Sequence, residues 1–257
     1  MREPATPGVF TPAFREEIRS CVLEMAGADE RIVAAAEVGS QALGDGDRWS
    51  DLDLTFGVAE GIAITDVLEG WTNSLAAQFS AVRLFDLPYG TTIYRVFLFP
   101  GCLQVDLSFS PGSNFGALGP KFKLLFGEAF ERPFPPPPRA RDLFGYAVHH
   151  ALRARFSIAR GRLWQAEYWL AEARNYSLNL ACLARQLPAR DARGYDQLPA
   201  EVLARFEPSF ARSLEAGELL RALAVAVSCL LKEAGAAREL ARKVDHELRK
   251  LTGAWDS

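Results

Sequence analysis

This chain carries no surplus of basic residues: 32 Asp and Glu outnumber 29 Lys and Arg, leaving a formal charge of −3. A protein that grips a polynucleotide normally has a cationic excess, because phosphate contacts dominate that affinity. A nucleic-acid partner is therefore disfavoured and a small-molecule partner favoured. Zinc spacing is also missing. Cys21, Cys102, Cys182 and Cys229 form no C-x-x-C pair, and the three histidines complete no zinc pattern. Each cysteine sits among apolar residues, as a buried free thiol does. His149 and His150 are adjacent on an expected helix, where neighbouring side chains diverge by about 100 degrees and do not readily chelate one ion. Both are read as structural. No apolar run reaches membrane-spanning length, and the opening Met-Arg-Glu-Pro-Ala-Thr-Pro lacks the apolar core of a signal peptide. A cytoplasmic protein without a membrane partner is expected. No internal repeat is visible.

Apolar residues make up 49% of the chain, enough for a substantial core. A length of 257 residues allows one large domain or two modest ones. Composition changes at Arg132-Pro-Phe-Pro-Pro-Pro-Pro-Arg139, where four consecutive prolines favour a stiff, extended connector. The expected organisation is a mixed domain over 1–132, a linker over 133–139 and a helical domain over 140–257. Before the linker, helices are expected over 12–27 and 64–79, and strands over 31–38, 51–58, 82–87, 92–100 and 103–109. The last two face each other across a Pro100-Gly101 turn. Beyond the linker, helices are expected over 141–160, 162–186 and 200–206, with one long helix or a broken pair over 216–249. The fold class is α+β: a small mixed sheet with helices on one side, followed by an all-α bundle.

The densest chemical signal is Val38-Gly-Ser-Gln-Ala-Leu-Gly-Asp-Gly-Asp-Arg-Trp-Ser-Asp-Leu-Asp53. Asp51 and Asp53 stand at i and i+2 on an extended segment, so both point to one face. Gly39 and Ser40 leave backbone N–H groups free to meet an anion. Asp106, in Cys102-Leu-Gln-Val-Asp-Leu-Ser-Phe109, adds a third acid on a later strand. Carboxylates that hold hard cations beside a phosphate cradle are the parts of a phosphoryl or nucleotidyl transferase. The plainer alternative makes Asp51 a turn residue and leaves Asp53 and Asp106 on exposed strand edges. Aspartate is disfavoured in strands, so three of them in or beside apolar strands call for a reason.

The order and spacing of Gly39-Ser40, Asp51-x-Asp53 and Asp106 resemble the nucleotidyltransferase superfamily, which includes DNA polymerase beta and the aminoglycoside- and lincosamide-type antibiotic nucleotidyltransferases. The resemblance implies two magnesium ions held by Asp51, Asp53 and Asp106. Asp106 has a second available role, as general base toward the acceptor hydroxyl. It also implies a nucleoside triphosphate co-substrate, with ATP expected, on Gly39 and Ser40. A helix starting near Ser40 would add its positive end.

Lys121 and Lys123, in the glycine-rich stretch that follows the third acid, either contact the triphosphate or sit as solvated cations. Arg95, on a strand next to Asp106, has the same two readings. The segment 161–174 looks like the helical domain of the antibiotic enzymes, in which a carboxylate reaches the acceptor; Glu167 is the matching residue. Its other reading is an ion network with Arg174 beside a Trp-rich packing face, which helical charge patterns favour. Trp164, Tyr168 and Trp169 either line an acceptor pocket or pack. Asp191, Asp196, Glu201 and Glu207 could attract a cationic acceptor.

The leading expectation is transfer of a nucleoside monophosphate, AMP for ATP, to a hydroxyl of a small molecule such as an aminoglycoside or lincosamide, with release of pyrophosphate. The alternatives are a protein-directed nucleotidyltransferase of the toxin–antitoxin kind and a non-catalytic nucleotide-binding module. An RNase of the HEPN type is disfavoured, since no His follows Arg174-Asn175 nearby. Several superfamily members dimerise and build shared sites, which leaves a homodimer open.

Overall fold

The computed structural model describes residues 8–44, 46–131, 133–134 and 136–253. Residues 1–7, on which the leader-peptide expectation rests, and Arg132 and Pro135 of the proline run fall outside them. The chain divides into two compact units, Met1–Pro135 and Pro136–Ser257. The fold class is the expected one, α+β.

The first unit is a six-stranded mixed sheet. Its elements run α1 (Pro12–Ala28), β1 (Ile32–Val38), β2 (Leu52–Val58), α2 (Ile64–Phe79), β3 (Val82–Tyr89), β4 (Thr92–Phe99), β5 (Leu103–Pro111) and β6 (Phe122–Phe126). The strand order is β3-β4-β5-β2-β1-β6. β2 and β5 are central and parallel, with Asp53 directly beside Asp106; the other pairings are antiparallel. α1 starts where Thr11 Oγ1 accepts a 3.2 Å hydrogen bond from Phe14 N and Pro12 opens the first turn.

Strand alternation sorts β2 and β5 into two faces. Leu52, Leu54, Phe56 and Val58 of β2, with Val105, Leu107 and Phe109 of β5, are buried against Ile18 and Val22 of α1 and Leu68 and Trp71 of α2. Phe56, Trp71 and Phe109 form a ring cluster with centroids 4.9 to 5.2 Å apart. Truncating one of these phenylalanines to alanine costs about 3–5 kcal/mol by the usual cavity arithmetic. Both helices thus cover one face. The other face carries Asp53, Thr55, Asp106 and Ser108, and its β1–β6 side has a small apolar cluster, Ala34, Ala36 and Phe115.

One departure from the sequence reading has a physical cause, and one of its alternatives is decided. The glycine-rich stretch after Asp106, where no strand was expected, ends in one, β6, because its backbone pairs with β1 from Val38↔Phe122 to Ala35↔Phe126. A five-residue edge strand with one lysine, Lys123, has little local signal of its own. Of the two forms expected over 216–249, the broken pair is found, α6 (Ala216–Lys232) and α7 (Arg238–Thr252), interrupted around Gly235, which takes φ +49°.

The second unit is all helical: α3 (Ala140–Ala159), α4 (Leu163–Leu183), α5 (Ala200–Phe206), α6 and α7. Its core runs through Ala151, Ala154, Leu170, Leu219, Leu223, Val227 and Leu248, contributed by α3, α4, α6 and α7. Cys182 and Cys229 are buried thiols, as expected. Cys21 is half-buried, and Cys102 is exposed on the β4–β5 turn at φ +61°, which corrects its reading as a core residue. Among the described residues no helix is long and apolar enough to cross a membrane.

Candidate metal and nucleotide site

Asp53 and Asp106 are cross-strand neighbours in the parallel β2–β5 pair, so their side chains leave the sheet on the same face. Asp51 precedes β2 by one residue. Each of the three supplies a carboxylate oxygen such that these atoms all lie within 4.8 Å of one another. All three side chains are half-buried. Three like charges this close repel, and an oxygen-only donor set of this charge fits a hard divalent cation.

The turn before Asp51 is fixed from two directions. Asp47 Oδ1 accepts from Trp49 N at 2.8 Å, and Ser50 Oγ accepts from Asp47 N at 2.9 Å. Arg15 of α1 donates to Asp47 O at 2.8 Å and to Ser50 O at 2.6 Å. Gly39 closes the other side. It takes φ +73°, and a Cβ placed there would overlap Asp53 Oδ2. Only glycine satisfies both the backbone and the contact.

Burial pushes the Asp106 carboxyl above its ordinary range, hydrogen bonds from Gln104 pull it down, and the Asp51 charge pushes it further up. Gln104 Nε2 donates to both Asp106 oxygens, at 3.0 and 3.2 Å. Arg15 and Gln104 were not singled out in the sequence. Gln104 had a signal, since it stands two residues before Asp106 and shares its face. Arg15 had none, because it lies 32 residues from the turn it holds.

A cavity of about 110 Å³ opens on the acids' face, lined by Thr55, Tyr94, Ser108, Lys121 and Phe122 among others. Thr55 and Ser108 each stand two residues beyond an acid, so Lys121 and two hydroxyl residues share the face of Asp53 and Asp106.

Three expectations are corrected by strand parity and local backbone. Arg95 is opposite Leu107, not Asp106, and so faces the helices. It is 3% exposed and ion-paired with Asp86, Nε to Oδ1 and Nη2 to Oδ2 at 2.7 Å each, with Nη1 donating to Thr72 Oγ1 at 2.8 Å. It is a brace between β3, β4 and α2, and it does not reach the acids' face. Lys123 pairs with Glu37, whose neighbour on β2 is the core residue Leu54, so it too leaves from the helix side. Ser40 opens only a 3-10 turn, Gln41–Leu43, which is too short to present a helix dipole.

Glu167 belongs to the helical unit. Its Oε2 is buried without a hydrogen-bond partner among the described residues, and burial raises its carboxyl while the Arg174 charge lowers it. Arg174 is itself buried, donating to Ser209 O at 3.1 Å with its guanidinium 4.0 Å from the Phe210 ring centre. Trp164 and Tyr168 are 82% and 58% exposed. Trp169 stacks on His150. Asp191, Asp196, Glu201 and Glu207 are exposed.

No protein family's pattern matches this chain, and no curated protein matches it. Among solved structures, an aminoglycoside 6-adenyltransferase from Bacillus subtilis aligns over 93% of this chain and 99% of its own, with 13% identity and a TM-score of 0.41. At that level of similarity the chemistry of the site stands on this chain's own residues.

Proposed function

We infer that this protein is a metal-dependent nucleotidyltransferase that moves a nucleoside monophosphate, AMP from ATP, to a hydroxyl of a small molecule. The observation that carries this reading is the convergence of Asp51, Asp53 and Asp106 from two adjacent parallel strands, oxygens within 4.8 Å. Asp51 and Asp53 are the proposed magnesium ligands, and Asp106 either completes the set or accepts the acceptor's proton. Two bound magnesium ions would activate the attacking hydroxyl and neutralise the departing pyrophosphate. Gly39 admits the carboxylate of Asp53 to the turn, and its N–H and that of Ser40 are the proposed phosphate donors. Lys121, beside Thr55 and Ser108 in the small cavity, supplies a cation for the triphosphate tail. Arg15 and Gln104 hold Asp51 and Asp106 in place.

The near-balanced charge of the chain favours a small acceptor over nucleic acid. Aminoglycoside- and lincosamide-type antibiotics are the proposed acceptor classes, with Glu167 the proposed carboxylate from the helical unit. The test is pyrophosphate release from each of the four nucleoside triphosphates with magnesium, across a panel of both antibiotic classes. A parallel incubation uses α-labelled ATP with cell extract. Label in the small-molecule fraction supports the reading. Label on a protein band moves the acceptor to a protein. Full activity in Asp51→Asn and Asp53→Asn refutes the assigned roles.

A further inference from the structure

The helical unit contains a cavity of about 570 Å³, within the range of small-molecule sites. Its floor is one face of α4, where Glu172, Asn175, Tyr176 and Asn179 follow at i, i+3, i+4 and i+7. Tyr146 of α3 and Tyr195 form its sides. The Tyr195 hydroxyl is anchored between Asn175 O at 2.8 Å and Asn179 Oδ1 at 2.9 Å, which fixes the wall that follows α4.

Two features give this cavity a chemical preference. The first is its aromatic wall. Tyr146 and Tyr176 stack at 5.2 Å and 28°, Tyr176 lies 5.2 Å from His150, and His150 stacks on Trp169 at 5.1 Å and 11°. His150 is buried, and its Nδ1 has no hydrogen-bond partner among the described residues. Burial holds the imidazole below its ordinary range, which disfavours a positive charge on it behind the rings; Arg153 lies over the Trp169 ring, 4.8 Å from its centre. The second is the charge of the floor. Glu172 is its one ionisable acid, it accepts a single long bond, 3.5 Å, from Asn175 Nδ2, and among the described residues no Lys or Arg ion-pairs with it. The charges at the rim are engaged or solvated: Arg139 pairs with Asp142 at 2.7 Å, Arg190 donates to Pro136 O at 3.3 Å, and Asp191 is exposed.

We propose that this cavity binds a small organic cation, a protonated amine or quaternary ammonium carried on a ring or short carbon body. The cation meets the Glu172 carboxylate and the faces of Tyr146 and Tyr176, where charge pairing and the ring quadrupole act in the same direction. The body fills the space between the tyrosines, and the Asn175 and Asn179 amides meet its polar substituents. The site uses residues of the helical unit alone, so it stands whether or not the three aspartates catalyse transfer.

The test uses the whole chain and three probes of one shape: benzylamine, benzyl alcohol and benzoate, titrated by calorimetry at neutral pH. Saturable binding of benzylamine, tighter than benzyl alcohol by about tenfold or more, with no heat from benzoate, supports the site. Glu172→Gln should erase the preference for the amine. Tyr146→Ala, at a position 53% exposed and so safe for folding, should weaken benzylamine several-fold. Benzylamine and benzyl alcohol binding equally, an absence of saturable benzylamine binding, or an unchanged amine preference in Glu172→Gln each overturns the proposal. The comparison of probes on the unaltered protein keeps it decidable if Glu172→Gln does not fold.

Discussion

At residue scale, the tightest constraint is the approach of Gly39 to Asp53. Gly39→Ala forces a side chain into a left-handed backbone and into the Asp53 carboxylate together. The backbone part costs about 1–2 kcal/mol, read as a shift in the denaturant midpoint. Displacing Asp53 costs more in function: a misplacement of ångström size lowers turnover by about a hundredfold. A stable Gly39→Ala with unchanged pyrophosphate release would remove Asp53 from the proposed machinery. The three acids were legible in the sequence because aspartate is scarce in strands and i, i+2 spacing fixes a face. Arg95 and Lys123 were misplaced for a related reason. Which face a residue takes depends on inter-strand register, and Val96 stands opposite Asp106 where Arg95 was expected. The hold of Arg15 on the turn before Asp51 spans different elements and left no pattern to read.

At element scale, two ion pairs join strands and helices on the covered side of the sheet. Arg95 links β4 to Asp86 of β3 and Thr72 of α2. Arg95→Ala removes two hydrogen bonds from Asp86, which keeps Arg83 at 2.7 Å, and is expected to cost about 2 kcal/mol in unfolding free energy, with turnover per folded molecule unchanged. Lost turnover at full stability would return Arg95 to the site. Asp29, after α1, accepts from Arg31 Nε and Nη2 at 2.8 Å each and from Trp71 Nε1 of α2 at 2.9 Å. Led by the Arg31 bonds, these hold its pKa down to about 2. A carboxyl depressed in the folded state stabilises above its unfolded value of about 3.9 and loses that contribution as pH falls toward 2. Asp29→Asn should therefore be less stable than the parent by about 2 kcal/mol at pH 6, with the gap closing near pH 2. A gap of equal size at both pH values would contradict the linkage. Regular elements with a strong apolar stripe, α1 and α2, were visible within a residue of their ends. β6 was not, because a five-residue stretch that contains Lys123 and follows Lys121 becomes a strand only through pairing with β1.

At the scale of the whole molecule, the apolar cores are separate. The sheet core is built from residues between 18 and 109, and the helical cores lie between 143 and 251. A fragment comprising 136–257 is expected to fold alone, with a helical circular dichroism spectrum and one cooperative thermal transition; a broad, non-cooperative melt would show that it depends on the first unit. Composition announced the change from mixed to helical structure, since the apolar period shifts after the proline run. The 570 Å³ cavity was not announced, because its tyrosines and Glu172 come from two helices and the segment after α4, and they meet only in the packed bundle.

The central claim is that Asp51, Asp53 and Asp106 together hold a divalent cation. Titrating manganese into the nucleotide-free protein, with the free-ion paramagnetic resonance signal as readout, tests it without knowledge of the acceptor. The account predicts saturable uptake by the parent chain and a loss of affinity of at least about tenfold in Asp53→Asn, with an unchanged melting curve. Equal uptake by parent and Asp53→Asn would contradict it.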